Sequence, residues 1–224
     1  QAARDAKRQL LTVAAAILEV DADQLEVCDG GVYVREAPER RLPVEEIMRR
    51  IAPHMIQGTG ARGPNPTDKS IQTFGAQFVE VEVDLETGAV TVLRLVAAHD
   101  CGRIINPAIV DSQVIGGITQ GLGYALMEER VIDAGSGVVL NANLEEYKVP
   151  TALDVPTIVH AQVDLPDLAA NPTGAKGIGE PPLVPTAPAI ANAVFDAVGV
   201  RLRSLPLSPQ HLLAALAARQ ESGR

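Results

Sequence analysis

The stretch VEVEVDLETGAVTVLRL, residues 79 to 95, decides the fold class. Val79, Val81 and Val83 alternate with Glu80, Glu82 and Asp84, a period of two that sends valines to one face of a strand and carboxylates to the other. Glu86-Thr87-Gly88 supplies turn chemistry, and Val90, Val92, Leu93 and Leu95 form a second apolar segment, so the reading predicts an antiparallel hairpin. The acidic run is then the wet face of a half-buried strand rather than a binding site.

Helices flank this hairpin on both sides. Downstream, Asn106-Pro107 precedes Val110, Val114, Ile118, Leu122 and Leu126, four-residue steps that predict a helix packed along one stripe. Ala187 to Val198 predicts another helix, stopped by Gly199, and Ser208-Pro209 opens a last one. Upstream, Leu10, Val13, Ala14, Ile17 and Leu18 lie at helical spacing within residues 3–18. A second hairpin is predicted where Leu25 to Cys28 and Val32 to Val34 flank Asp29-Gly30-Gly31, and a short helix from Pro43 through Val44, Ile47, Met48 and Ile51. Residues 58–68 read as a loop, and shorter strands are predicted at Val138 to Leu140 and Ile158 to Val163. This order of elements predicts an α+β fold with antiparallel hairpins packed against helices, two-layer and sandwich-like, with subdomains at residues 1–70 and 71–224.

Composition narrows the function. Hydrophobic residues make up 46% and charged residues 21% of 224 positions, enough apolar surface for a core. A net charge of −9, from 19 Lys and Arg against 28 Asp and Glu, repels phosphate backbones and anionic lipid, which argues against nucleic-acid or membrane partners. Leu10 to Leu18, the longest nearly apolar run, has half the length of a membrane span. Two cysteines, Cys28 and Cys101, make neither a disulfide framework nor a thiolate cluster and fit a reducing, cytoplasmic setting. The chain opens on Gln1 without a signal-peptide pattern, which gives the expectation of a piece of a longer precursor, subunit or split gene product.

Glycine clusters mark the candidate chemistry. Gly116, Gly117, Gly121 and Gly123 lie inside the predicted helix, where each costs about 1 kcal/mol relative to alanine. Either another backbone or a bulky cofactor must approach there. Phosphate motifs fail on this patch: Leu122 stands where a P-loop needs lysine, and Leu126 where a dinucleotide fingerprint needs its third glycine. Gln113 and Gln120, seven residues apart, share a face and can offer amides to a ligand. The second cluster, Gly174-Ala175-Lys176-Gly177-Ile178-Gly179-Glu180-Pro181-Pro182, sets one carboxylate between a flexible run and two prolines. Glu180 can act there as a general base or be a surface residue in a turn. His54, His99, His160 and His211 show no metal-ligand spacing, and Cys101 reads as a small buried residue rather than a nucleophile.

These segments, taken in order, resemble the molybdenum-cofactor-binding subunit of the xanthine dehydrogenase and aldehyde oxidoreductase family. The resemblance rests on Phe74-Gly75-Ala76 with the valine-rich hairpin, Asp100-Cys101-Gly102-Arg103 with Asn106-Pro107, and Gln113 with Gly116-Gly117. It continues through Gln120-Gly121-Leu122-Gly123 with Glu128-Glu129, Tyr147 to Pro150, and Gly174 to Pro182. Glu146-Tyr147 departs from the Asp-Tyr pair common in the family. The span corresponds to the C-terminal part of that subunit.

By position, the resemblance implies that Glu180 is the catalytic base, that Gln113 contacts the pterin through its amide, and that Gly174 to Gly179 runs beside the metal. It further implies a molybdopterin cofactor, in its plain or cytosine dinucleotide form. In the family the base removes a proton from a molybdenum-bound hydroxide, the oxygen attacks an N-heteroaromatic or aldehyde carbon, and hydride passes to a sulfido ligand. Electrons then leave through iron-sulfur clusters and FAD, so the implied partners are the N-terminal half of the molybdenum subunit and iron-sulfur and flavin subunits or domains, in a hetero-oligomer. This chain alone is then expected to be inactive. The rival reading is a non-catalytic assembly module; a carboxylate held in a glycine and proline clamp favours the enzyme.

Overall fold

The computed structural model describes residues 1–61 and 63–222. The chain divides into two compact units, Gln1–Pro64 and Asn65–Arg224. In the first, helix α1 (Ala2–Leu18) is followed by strands β1 (Leu25–Cys28), β2 (Gly31–Val34) and β3 (Ala37–Pro43), then helix α2 (Val44–Ile51). The three strands form an antiparallel sheet in the order β1-β2-β3. Asp29 and Gly30 both take positive φ, 45° and 70°, the conformation a two-residue hairpin loop demands, and Cys28 pairs directly with Gly31. The turn is therefore one residue shorter than the sequence predicts. Ala14, Leu25, Val32, Val34, Leu42 and Ile47 make the core. Strand β3 is not legible as a strand: Glu39, Arg40 and Arg41 are exposed on the sheet edge, where charge is tolerated.

The second unit carries the predicted valine-rich hairpin. Strand β4 (Phe74–Val83) pairs antiparallel with β5 (Val90–Asp100), from Phe74 opposite Asp100 to Val83 opposite Val90, with a register shift between Glu80 and Val81. Helix α3 (Pro107–Leu126) leads away from β5, and β6 (Thr157–Val163) returns beside it in parallel, from Arg94 opposite Thr157 to Asp100 opposite Val163. The sheet is therefore mixed: the predicted hairpin is antiparallel, and the third strand adds a parallel neighbour. Two parallel neighbours need a long crossover, and the segment containing α3 is that connection. Val138 to Leu140 is likewise no strand; a single bridge joins Ile132 and Val139, and Val138 and Leu140 stay exposed with no sheet face to cover.

Asn106 caps α3 through its side-chain oxygen, which accepts from the Ile109 N–H at 3.2 Å, and Pro107 follows in the first turn. The buried stripe is the predicted one: Val110, Val114, Ile118 and Leu122. Leu95, Ala97, Val114 and Ile118 form one core cluster, and Val92, Leu122, Ala125, Ile190, Val194, Leu207 and Leu212 a second. The second also takes in helices α4 (Thr186–Val198) and α5 (Pro209–Ser222). Sheet and helices give the two-layer α+β arrangement. No described helix is long and apolar enough to cross a membrane.

Candidate functional site

Three of the four glycines in α3 are explained by protein. A Cβ on Gly117 would lie 2.8 Å from the Pro182 ring, on Gly121 2.4 Å from Thr186, and on Gly123 2.1 Å from the Glu128 carboxylate. At Gly117 and Gly121 the absent side chain lets the segment after Glu180 and the start of α4 press against α3, and at Gly123 it makes room for Glu128 and Pro150. Gly116 differs: nothing lies within 4 Å of a Cβ there. On the same exposed side stand Gln113 and Gln120, and no hydrogen-bond partner holds either amide among the described residues.

The Gly174 to Gly179 loop is fixed at one end and open at the other. Gly174 takes φ 75° and its carbonyl accepts from Arg103 N–H at 2.7 Å and Asp167 N–H at 2.9 Å. Gly102, at φ 72°, faces it across the bridge between Gly102 and Ala175; a Cβ on Gly102 would lie 2.2 Å from the Gly174 oxygen. The Lys176 N–H donates to the Cys101 carbonyl at 2.7 Å. Its side chain, 8% exposed, puts Nζ 2.8 Å from Asp100 Oδ2 and donates to the Gln72 carbonyl at 2.8 Å. Burial alone would raise the Asp100 pKa. The Lys176 ammonium and the Gly102 N–H outweigh that and hold the carboxyl below its usual range.

Beyond Lys176 the loop opens. Gly177 has empty space where a Cβ would be, Ile178 packs on the cluster of Leu95, Val114 and Ile118, and a Cβ on Gly179 would lie 3.8 Å from Gln113 Oε1. The structure thus brings Gln113 to the last glycine before Glu180, although 67 positions of chain separate Gln113 from Glu180. Glu180 itself is exposed on a cleft of about 360 Å³ lined by Thr73, Gly75, Glu180, Pro181, Val184 and Pro185. Its carboxylate has no hydrogen bond or ion pair among the described residues. Ile178 and Leu183 do not enclose it, so this chain leaves the carboxylate in contact with solvent.

Sequence reasoning missed the support beneath this cleft. Gln77 on β4 donates from Nε2 to the Pro182 carbonyl at 2.7 Å and lies 3.3 Å from His99 Nε2, while Thr186 Oγ1 donates to Gln77 Oε1 at 2.7 Å. A lone amide in the inward register between Gly75 and Val79 was the available signal. His99 is 1% exposed and its ring fills the space over Gly75, where a Cβ would lie 2.2 Å from Nδ1. Burial first, and then the neighbouring His160 ring 6.1 Å away, push the His99 pKa below its ordinary value. His160 Nδ1 in turn meets Asp111 Oδ1 at 2.7 Å. Two of the four scattered histidines, His99 on β5 and His160 on β6, are therefore neighbours in the fold. Cys101 is 2% exposed, and burial raises its pKa; it is a packed residue, as expected.

The arrangement offers one unpartnered carboxylate at the mouth of a cleft and, beside it, a face of open glycines and a free amide. Such a face lets a flat, polar ligand approach the backbone closely. Comparison with known proteins gives the family. Residues 1–156 match the molybdopterin cofactor-binding domain family. The chain is 38% identical over 213 residues to the xanthine dehydrogenase molybdenum-binding subunit of Escherichia coli O157:H7, covering 92% of this chain and 28% of that protein. It is 43% identical over 144 residues to the aldehyde oxidoreductase molybdenum-binding subunit PaoC of Escherichia coli K12, covering 64% and 20% respectively. Among solved structures, the reconstituted CO dehydrogenase from Oligotropha carboxidovorans superimposes with a TM-score of 0.74 at 28% identity, over all of this chain and 28% of that one. The chain thus spans little more than a quarter, at most, of the length of these relatives.

Proposed function

Because the chain belongs to the molybdopterin cofactor-binding domain family, in the form found in xanthine dehydrogenase and aldehyde oxidoreductase molybdenum-binding subunits, we propose that it forms part of a molybdenum hydroxylase active site with Glu180 as general base. The family is one of molybdenum-dependent oxidoreductases, and the substrate class proposed here is an N-heteroaromatic or aldehyde carbon that takes up a water-derived oxygen. The observation that carries the reading is Glu180: a carboxylate at a cleft, between a glycine loop and two prolines, with no hydrogen bond or ion pair among the described residues.

The residues of this chain fit one edge of the cofactor. Gln113 offers its amide, Gly116 and Gly177 leave room for close approach, and the loop from Gly174 to Gly179 lines the side toward Glu180. When bound, the cofactor supplies the two-electron redox chemistry and its own hold on the metal. The chain's part is to orient and to move a proton. Glu180 accepts it at a carboxylate oxygen from the attacking oxygen nucleophile, and Pro181 holds the residue in extended geometry. Exclusion of water from that carboxylate falls to groups outside this chain, because Glu180 is exposed here. The remaining pterin contacts then come from the other part of a molybdenum subunit, and the electrons pass to iron-sulfur and FAD-containing partners in a cytoplasmic hetero-oligomer. The cofactor form, plain or cytosine dinucleotide, is set by contacts beyond these residues. Alone, the chain is inactive.

Gln113 provides the first test. Gln113→Ala in the assembled enzyme is expected to weaken cofactor retention by about 1 to 3 kcal/mol, the cost of leaving a buried ligand atom without its partner. Molybdenum content after extended dialysis measures it; full occupancy would show that this face does not hold the pterin. The fold should be unaffected, because the amide has no partner among the described residues.

A further inference from the structure

We propose that Gln77 is a positioning residue for Glu180: its side-chain amide holds the Pro182 carbonyl and so sets the direction in which the stiff Glu180-Pro181-Pro182 segment presents the carboxylate. The inference rests on the reading of Glu180 as the base and adds to it the means by which the base is aimed.

Gln77 uses every hydrogen-bonding group it has. One Nε2 hydrogen goes to Pro182 at 2.7 Å, the other points at His99 Nε2 3.3 Å away, and Oε1 accepts from Thr186 at 2.7 Å. That set permits a single orientation of the amide, since the reversed one would set two oxygens against each other at Pro182. His99 must then present a lone pair at Nε2 and carry its proton on Nδ1. The neutral ring this requires is the form that burial beside His160 favours. Thr186 is wholly buried, and its Oγ1 lies 2.7 Å from Gln77 Oε1 and 3.0 Å from the Pro182 carbonyl; its one hydrogen goes to the nearer oxygen while the Gln77 amide supplies the shorter bond to Pro182.

The restraint reaches Glu180 through proline. Pro181 and Pro182 each have φ locked near −65°, and the Leu183 N–H donates back to the Glu180 carbonyl at 3.0 Å. Few torsions remain between the held carbonyl and the carboxylate. From the opposite side, helix α3 presses on Pro182 and Leu183 at Gly117. Pro182 is thus clamped between a helix contact and the Gln77 amide. An apolar residue at position 77 keeps the strand and the packing but removes the shorter of the two bonds to the Pro182 carbonyl, leaving only the Thr186 hydroxyl at 3.0 Å. A misplacement of a fraction of an ångström in a base lowers the rate without changing what the site binds.

The test compares Gln77→Leu, Glu180→Gln and the double variant in the assembled molybdenum enzyme, with turnover normalised to molybdenum content. Gln77→Leu is expected to lower kcat by about 10-fold with KM and metal content unchanged, and the double variant to turn over no more slowly than Glu180→Gln alone. A residue that merely stabilises the fold would not give this non-additivity. Normal kcat for Gln77→Leu beside an impaired Glu180→Gln overturns the role of Gln77 and leaves the base standing. A double variant slowed by the product of both effects also overturns it. Normal turnover of Glu180→Gln overturns the base reading itself and the present inference with it. If Gln77→Leu does not yield folded enzyme, Gln77→Met, which keeps the length of the side chain and removes the amide, is expected to lower kcat to a similar extent with the same non-additivity; unchanged kcat there overturns the inference.

Discussion

Glu180→Gln in the assembled enzyme is expected to retain its molybdenum and lose turnover by ~10²-fold or more, the contribution of a positioned general base. The substitution keeps the size and the hydrogen-bonding reach of the side chain and removes only the capacity to take a proton. The Glu180 carboxylate has no partner among the described residues, so the change strands no buried group and should leave stability within about 0.5 kcal/mol. Those two expectations separate chemistry from folding. Near-normal turnover by a metal-replete variant would show that the proton goes elsewhere and that the Gly174 to Pro182 segment serves the fold alone.

The second large effect concerns Lys176. Its ammonium is nearly buried against Asp100 and the Gln72 carbonyl, with Asp167 4.0 Å away. Lys176→Met fills similar volume but leaves the half-buried Asp100 charge without its cation. Breaking one side of such a pair costs about 3 kcal/mol, which for a unit of this size lowers Tm by about 6 to 12 °C. The pH dependence carries the same signature. Asp100 titrates below its ordinary 3.8 in the folded chain, so the unfolded chain takes up that proton first as the solution is acidified. The stabilisation is complete above pH 3.8 and is lost as pH falls through the folded value. Other depressed aspartates, such as Asp111 and Asp133, share this window, so the readout is the difference between variant and parent. Thermal melts between pH 2 and 7 should show a gap that narrows at the acid end; a variant with unchanged Tm at pH 7 would mean the pair is not what holds the loop.

Much of this was legible in the sequence, and the parts that were not have physical reasons. The β4–β5 hairpin announces itself because a strand with one wet face must alternate. Helix α3 is equally plain, from its Asn106-Pro107 start and its stripe of Val110, Val114, Ile118 and Leu122. The parallel placement of β6 was not legible, because strand direction is set by a crossover of more than fifty residues and leaves no local mark. Strand β3 was hidden by its charges, and Val138 to Leu140 looked like a strand only because three apolar residues stand together. At the site, glycine spacing exposed both clusters but not which glycines faced protein; Gly117, Gly121 and Gly123 do, whereas Gly116 does not. The juxtaposition of Gln113 with Gly179 and the amide of Gln77 under Pro182 are tertiary facts. A single inward glutamine among valines is their only trace in the sequence.

On the proposed function, these residues supply one edge of a molybdopterin site and its base, while the rest of the site lies outside them. Molybdenum analysis of the isolated 224-residue chain, produced in a host that makes the cofactor, tests this most directly. An open face of Gln113, Gly116 and Gly177 gives too few contacts to retain the ligand, since each ~1.4 kcal/mol of lost interaction weakens binding tenfold. The expected result is a folded chain with far less than one molybdenum per molecule; stoichiometric molybdenum retained through purification would contradict the claim.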